Sequence, residues 1–438
     1  QAHFGPLRCP TPSGSWRSPL RQASVPGRLP QCHMAEPEVL ARFDDGGGLG
    51  TITLNRASKL NALNLNMIRL LHEAVDGVER RAGRLSCLIM DGAGGKAFCA
   101  GGDVAEVRAE ALAGGSLPAD FFFEEYAVVY RLATLLERTG CCQVSLWDGI
   151  TMGGGVGLSA HGPFRVVTER TVFAKPEMAI GLFPDVGSTH KLGRLKLGHS
   201  VGLYVGITGA RLTAWDCLRA GLATHFVPSA NVPWLRELLL QGCAAGLTGS
   251  AATAACEAAL LKANAGAAPP TKGAVLTDEN VAIINRCFGE PTLEGIVARL
   301  RAEPGDFAAA TLRTMETSCS PTSCKVTMKA MRDFAPEGTS IGHALEIEYR
   351  LSQRFTTRPQ PQSDFFEGIR AVLVDKDRKQ KWQPGWNELQ QVTDENVAFF
   401  FSPLEPGHRR GELLLEDASL WTEAKRKPFP ALVVKSKL

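Results

Sequence analysis

No stretch of the chain approaches the roughly 18 consecutive apolar residues that a membrane-crossing helix requires, so no contact with a bilayer interior is expected. Charge of one sign is also scarce. The formal net charge is +3 over 438 residues, and Arg8, Arg17, Arg21 and Arg28 stand unopposed by any acid in residues 1–33. The remainder is close to neutral and offers no electrostatic footprint for nucleic acid. Metal-ligand spacing is missing: the twelve cysteines contain no C-x-x-C, and the nine histidines form no H-E-x-x-H. The reading for the cysteines is free, buried thiols in a reducing compartment, with no metal site. A serine-hydrolase elbow is absent as well. Gly157-Leu158-Ser159-Ala160-His161 lacks the closing glycine of G-x-S-x-G, and His161 is read as a satisfied or surface histidine rather than a base.

What is present describes a large globular α/β chain. Apolar residues make up 44% and charged residues 21%, in a length sufficient for a sizeable core. Residues 1–33, with prolines at 6, 10, 12, 19, 26 and 30, read as a disordered leader or a targeting segment. A core of residues 34–270 is expected, then a helical region over 271–400 and a loosely ordered tail over 401–438. Leu49 to Leu54 alternates as a strand. Leu63, Met67, Leu70, Leu71, Ala74, Val75 and Val78 then fall at helical spacing. Strand, glycine turn and helix recur at Leu85–Met90 with Gly101-Gly102, and at Val144–Trp147 with Gly153–Gly155, which argues an α/β architecture. The Asp120–Glu137 stretch reads as a mostly apolar helix, and Arg211–Ala220 as a helix that stops at Gly221. Residues 240–275, rich in Ala and Gly with Pro269-Pro270, read as linker-like. Helical patterns follow at Val281–Phe288, Leu293–Leu300, Thr322–Phe334 and His343–Phe355.

The chemistry concentrates between Gln143 and Val186. Gly153, Gly154, Gly155 and Gly157 follow a short strand, and two carboxylates sit in proline-marked turns, Pro176-Glu177 and Pro184-Asp185. Glycine leaves backbone N–H groups uncovered, and at the start of a helix those groups lack an intrahelical acceptor. Uncovered donors beside carboxylates are the equipment of acyl transfer. Gly155-Val156-Gly157-Leu158-Ser159-Ala160 also fits a dinucleotide fingerprint with Glu177 about 20 residues on. That reading leaves the Gly101-Gly102 turn and Asp185 without a role.

The residues carry a family resemblance that uses both turns. Thr51-Ile52-Thr53-Leu54-Asn55-Arg56 followed by Leu60-Asn61-Ala62-Leu63-Asn64 resembles the opening of the crotonase (enoyl-CoA hydratase/isomerase) superfamily. Phe98-Cys99-Ala100-Gly101-Gly102-Asp103 and Gly153–Gly155 are similar to its two oxyanion-hole turns. Gly149 to Ser159, Pro176 to Gly187, Glu348 to Gln353 and Phe366 to Asp377 resemble its 3-hydroxyisobutyryl-CoA hydrolase group. The resemblance spans about residues 40–385.

It implies a crotonase-like spiral of ββα units with a helical C-terminal region. It also implies a small acyl-CoA thioester as substrate, CoA being part of that substrate and no separate cofactor being needed. Gly102 and Gly154 would supply the oxyanion hole, and Glu177 would be the catalytic glutamate. Asp185 stands where hydratases usually have glycine, and Gly157 where they have a second glutamate, so hydrolysis is implied over hydration. Glu125 matches a substrate-site glutamate, and Leu60, Asn61 and Ala62 would lie near the CoA adenine. Cys141-Cys142-Gln143 and Ser188-Thr189-His190 depart from the pattern, and His190 would bear on acyl-chain preference. Enoyl-CoA hydration and a non-catalytic mitochondrial ribosome-associated scaffold stay as alternatives. Ser436-Lys437-Leu438 reads as a peroxisomal address for an import receptor, with the mitochondrion as the alternative destination.

Overall fold

The computed structural model describes residues 36–44 and 46–416. Residues 1–33, read as a leader, and Ser436-Lys437-Leu438, read as an address, lie outside the described residues. The described residues from Pro37 to Glu416 pack as one unit.

β1 (Val39–Asp44) and β2 (Leu49–Leu54) form an antiparallel pair, and α1 (Leu65–Glu79) follows. The apolar spacing read from the sequence is the buried face of α1, where Met67, Ile68, Leu71, Val75 and Val78 are sealed from solvent, and Asn64 caps it by accepting from the Met67 N–H at 2.8 Å. β3 (Cys87–Gly92) and β4 (Ala97–Cys99) come next, then α2 (Val104–Leu112) and α3 (Leu117–Ala133). β5 (Cys142–Trp147) and β6 (Ile150–Met152) lead into the short α4 (Gly154–Ser159). β7 (Phe164–Val167), β8 (Val172–Ala174), α5 (Ser188–Leu192) and β9 (His225–Phe226) complete the sheets.

Each β3–β4, β5–β6 and β7–β8 unit gives one strand to each of two sheets. The larger runs β1-β2-β3-β5-β7-β9 and the smaller β4-β6-β8; every pairing after β1–β2 is parallel. This is the expected crotonase-like spiral of ββα units. β1 and the three-residue strands escape the sequence reading, because β1 is largely exposed and the others are too short to show a period.

Within residues 240–275 the stretch around Pro269-Pro270 is irregular, as expected, but Gly249–Asn264 is not linker-like. α6 (Gly249–Asn264) buries Ala252, Cys256, Ala259, Leu260 and Ala263 in a second apolar cluster with β3, β5 and β7. Alanine is the strongest helix former, and its small side chain permits close approach to the sheet, so a biased composition here is a packing device. Beyond α6 the chain is helical, with α7 (Ile341–Thr357) packed on α3 through Phe123–Tyr349 and Tyr126–Tyr349 edge contacts at 5.6 and 6.5 Å. Asp306–Ser318, which the sequence reading passed over, is also a helix.

Part of the expected loose tail is docked. Arg409 and Arg410 pair with Asp120, Arg410 also pairs with Glu124, and Leu413 and Leu415 are buried.

α1 and α3 are clamped by Arg131, whose guanidinium donates to both Glu79 oxygens at 3.0 and 2.7 Å, with Arg138 donating to the same carboxylate at 2.7 Å. Burial opposes the Glu79 charge, but Arg131 and then Arg138 overcome it and hold its pKa at about 2 against the usual 4.5. A depressed carboxylate stabilises the fold above its unfolded value and loses that contribution as pH falls through its folded value. The expected outcome for Glu79→Gln is a lower Tm at pH 7 and a shallower decline of Tm between pH 4.5 and 2, read by circular dichroism. Parallel declines in the two proteins would assign the acid sensitivity to other carboxylates.

Candidate functional site

Two glycine turns face each other at one end of the small sheet. The first leaves β4 through Ala100-Gly101-Gly102, with Gly101 at φ +111°, a conformation open to glycine and strained for other residues. It is braced from the Leu60–Leu63 segment: the Ala100 N–H donates to Leu60 O at 3.0 Å and the Leu63 N–H to Gly101 O at 2.8 Å. The Asp103 N–H returns to Leu63 O at 2.7 Å. Asn61 is wholly buried, its amide donating to Ala93 O at 3.0 Å and Ala97 O at 2.9 Å. Leu60 and Leu63 thus hold the turn, Asn61 ties the segment to Ala93 and Ala97, and Leu60, Asn61 and Ala62 are not among the residues lining the cavity.

The second turn leaves β6 through Gly153, at φ +49° and ψ −126°, and opens α4 at Gly154. A Cβ on Gly153 would lie 2.9 Å from Gly101 Cα and 3.8 Å from Gly102 N. One on Gly154 would lie 2.4 Å from Glu125 Oε1. The two turns are thus in van der Waals contact, and side chains on either would fill the space between them. Gly102 and Gly154 both line a cavity of about 220 Å³, together with Glu125, Glu177 and Asp185. Phe121, Phe122 and Leu182 supply apolar wall, and Val372 and Leu373 close it from the C-terminal region. The latter pair lies within the Phe366–Asp377 block whose resemblance the sequence already displayed.

The structure brings together three buried carboxylates, Glu125, Glu177 and Asp185, the first of them far from the other two in sequence. Glu177 opens a 3₁₀ turn after Pro176, and its Oε1 lies 2.8 Å from Lys175 Nζ. Asp185 accepts from the Tyr126 hydroxyl at 3.0 Å and approaches Lys175 Nζ at 3.4 Å. Its loop is anchored by the Glu348 carboxylate of α7, which accepts from the Gly187 N–H at 2.5 Å, the Thr189 N–H at 3.1 Å and the Thr189 hydroxyl at 2.6 Å. Glu125 Oε1 and both Glu177 carboxylate oxygens lack a hydrogen bond of good geometry, but Glu177 Oε1 is ion-paired with Lys175 whereas Oε2 has no contact of either kind.

Burial pushes Glu177 up to about 7, Lys175 pulling it down and the Asp185 charge pushing it up again. Burial raises Glu125 well above the usual carboxylate range, and the charge of Asp185 adds to this. Glu348 is raised to about 8 chiefly by burial. Carboxylates so displaced toward neutral pH are poised to exchange protons.

Lys175 and Tyr126 were missed as site residues. The signal for Lys175 was available: it stands two residues before Glu177, directly after the apolar strand Val172–Ala174, where a solvated lysine is out of place. Other candidates resolve into supporting positions. Ser159 donates to Gly155 O at 2.6 Å and accepts from Trp147 Nε1 at 2.8 Å. His161 is bound to Val186 O at 3.0 Å and is held neutral by burial, down to about 3. His190 bonds Thr339 O at 3.1 Å and does not line the cavity. Gly157 packs where a Cβ would meet Val186 Cβ at 2.5 Å. The described cysteines are free and buried, but Cys87, Cys243 and Cys256 converge to within 4.8 Å, a grouping that their sequence separation hides.

The enoyl-CoA hydratase/isomerase family signature matches residues 49–401. A *Xenopus tropicalis* protein named 3-hydroxyisobutyryl-CoA hydrolase, mitochondrial, is 42% identical over 82% of this chain and 87% of its own length. The *Homo sapiens* protein of the same name is 40% identical over 84% and 90%. Among solved structures, an enoyl-CoA hydratase from *Rhodobacter sphaeroides* superposes with a TM-score of 0.69 at 35% identity, covering 84% of this chain and 98% of that one. A carnitinyl-CoA dehydratase from *Mycobacterium thermoresistibile* gives 0.72 at 32% identity, covering 87% and 99%. With its two-sheet spiral, its facing glycine turns and this similarity along most of its length, the chain belongs to the enoyl-CoA hydratase/isomerase family of the crotonase superfamily.

Proposed function

We propose that this protein hydrolyses small acyl-CoA thioesters, 3-hydroxyisobutyryl-CoA foremost, to the free acid and CoA. The observation that carries the reading is Glu177, buried beside the two glycine turns with Oε2 unpartnered. The names of the similar animal proteins support the acyl group. A cavity of about 220 Å³ suits a short branched chain.

In this mechanism the thioester oxygen accepts hydrogen bonds from the N–H groups of Gly102 and Gly154, each worth about 3 kcal/mol to the transition state. A Glu177 oxygen attacks the carbonyl carbon, the C–S bond breaks, and CoA departs as a thiolate that takes a proton from solvent. Water then adds to the resulting mixed anhydride and regenerates the Glu177 carboxylate, with Asp185 orienting the water and accepting its proton. Glu125, raised by burial, would hydrogen-bond a substrate hydroxyl.

Hydration of an enoyl-CoA is the second reading, favoured by the approach of Glu125 and Glu177 to the same glycine turn. Against it, the second hydratase glutamate position is Gly157.

Purified protein is expected to release thiol from 3-hydroxyisobutyryl-CoA, and Glu177→Ala to reduce kcat/KM at least 10²-fold. Loss of enoyl absorbance from crotonyl-CoA without thiol release would select hydration. Single-turnover hydrolysis in heavy-oxygen water separates the chemical routes. Unlabelled first product with label retained in Glu177 requires an anhydride opened at the Glu177 carbonyl and excludes a route in which Glu177 serves only as a base on water.

Gly157→Glu, which restores the hydratase residue, is expected to lower Tm and to confer no hydration, because its Cβ meets Val186 Cβ at 2.5 Å. Efficient crotonyl-CoA hydration by that variant would overturn the steric argument.

A further inference from the structure

Lys175 is the least expected residue in the cavity wall. It follows β8, its side chain is fully buried, and its Nζ lies 2.8 Å from Glu177 Oε1, 3.4 Å from Asp185 Oδ1 and 3.3 Å from Asp185 O. An ammonium removed from water is retained only where fixed negative charge offsets its lost hydration. The groups facing Glu177 are otherwise acidic: Asp185 from the following loop, Glu125 with the Tyr126 hydroxyl from α3, and Glu348 of α7 behind Asp185. Among the described residues, Lys175 is the only cation that acts on this group of acids at contact distance.

The two Glu177 oxygens are consequently unequal. Oε1 is bound to Lys175, while Oε2 has no partner. We propose that Lys175 is a positioning residue for thioester hydrolysis: it clamps Glu177 Oε1, leaves Oε2 as the reacting oxygen, and keeps Glu177 ionised at neutral pH beside Asp185. The inference deepens the hydrolase reading and rests on it for its kinetic test. Once Glu177 is acylated it has lost its negative charge, and Lys175 keeps its contacts with Asp185 for the water step.

The sign of the pH effect follows. Lys175 lowers the Glu177 pKa against the larger upward effect of burial, which leaves it at about 7. Removing the ammonium raises that value, so the ionised fraction at pH 7 falls and returns only at alkaline pH.

The test uses the full chain, with Lys175→Met and Lys175→Gln compared with wild type in kcat/KM from pH 5.5 to 9.5. The expected result is an acid limb displaced to higher pH, with kcat/KM at least tenfold lower at pH 7 and within threefold of wild type at the alkaline plateau. Parallel profiles lowered equally at every pH would overturn the proposal and leave Lys175 a structural residue. Isotope-edited infrared titration of the carboxylates, with Glu177→Gln assigning the band, reads ionisation without turnover. Glu177 of the wild type is expected to titrate near 7, and a midpoint well above 8 would overturn the proposal even if neither variant folds. Absence of thiol release with an unaltered infrared result would instead reject the hydrolase reading and retain the Lys175 clamp.

Discussion

A single fixed ammonium among buried acids is the constraint on which the candidate site depends. Glu125, Glu177 and Asp185 share a small cavity with apolar walls, where unpaired charge is expensive. Lys175 bridges two of the three, the Tyr126 hydroxyl satisfies the remaining Asp185 oxygen, and Glu348 fastens the loop that carries Asp185. These supports come from a strand end, a helix of the core and a helix of the C-terminal region. The charge arrangement therefore exists only once those parts have packed together.

The spiral supplies the other half of the site. Because each ββα unit contributes one strand to each sheet, consecutive turns after β4 and β6 emerge side by side. Glycine at Gly101 and Gly153 then permits backbone to touch backbone, which no side chain would allow. The N–H groups at Gly102 and Gly154 are presented by rigid elements rather than by a mobile loop, which is what preorganised stabilisation of a developing oxyanion requires. The Leu60–Leu63 segment serves the same end from behind, through backbone hydrogen bonds and the buried Asn61 amide.

Family membership alone does not choose among the reactions that crotonase relatives perform. The discrimination lies in side chains at equivalent turns. Gly157 is packed against Val186, and the preceding residue, Asp185, lines the cavity with an oxygen near Lys175. The hydrolysis proposed above would use Glu177 as its reactive glutamate and Asp185 as the nearby acid.

Apart from Glu125, which only the family resemblance pointed to, the sequence by itself determined the helical face of α1, the recurring strand–glycine-turn–helix units, both glycine turns, and Glu177 and Asp185 as candidates. These were legible because periodicity, turn chemistry and motif spacing are local properties. The Ala-rich α6 was hidden because composition resembling a linker says nothing about the sheet it packs against. The docking of Arg409 and Arg410 onto Asp120 was hidden because that pairing joins residues almost 300 positions apart. Only the tertiary structure decided that Leu60 and Leu63 brace a turn, that Val372 and Leu373 close the cavity, and that Lys175 faces inward. Those outcomes depend on which surfaces exclude water, and burial is a property of the whole packed chain.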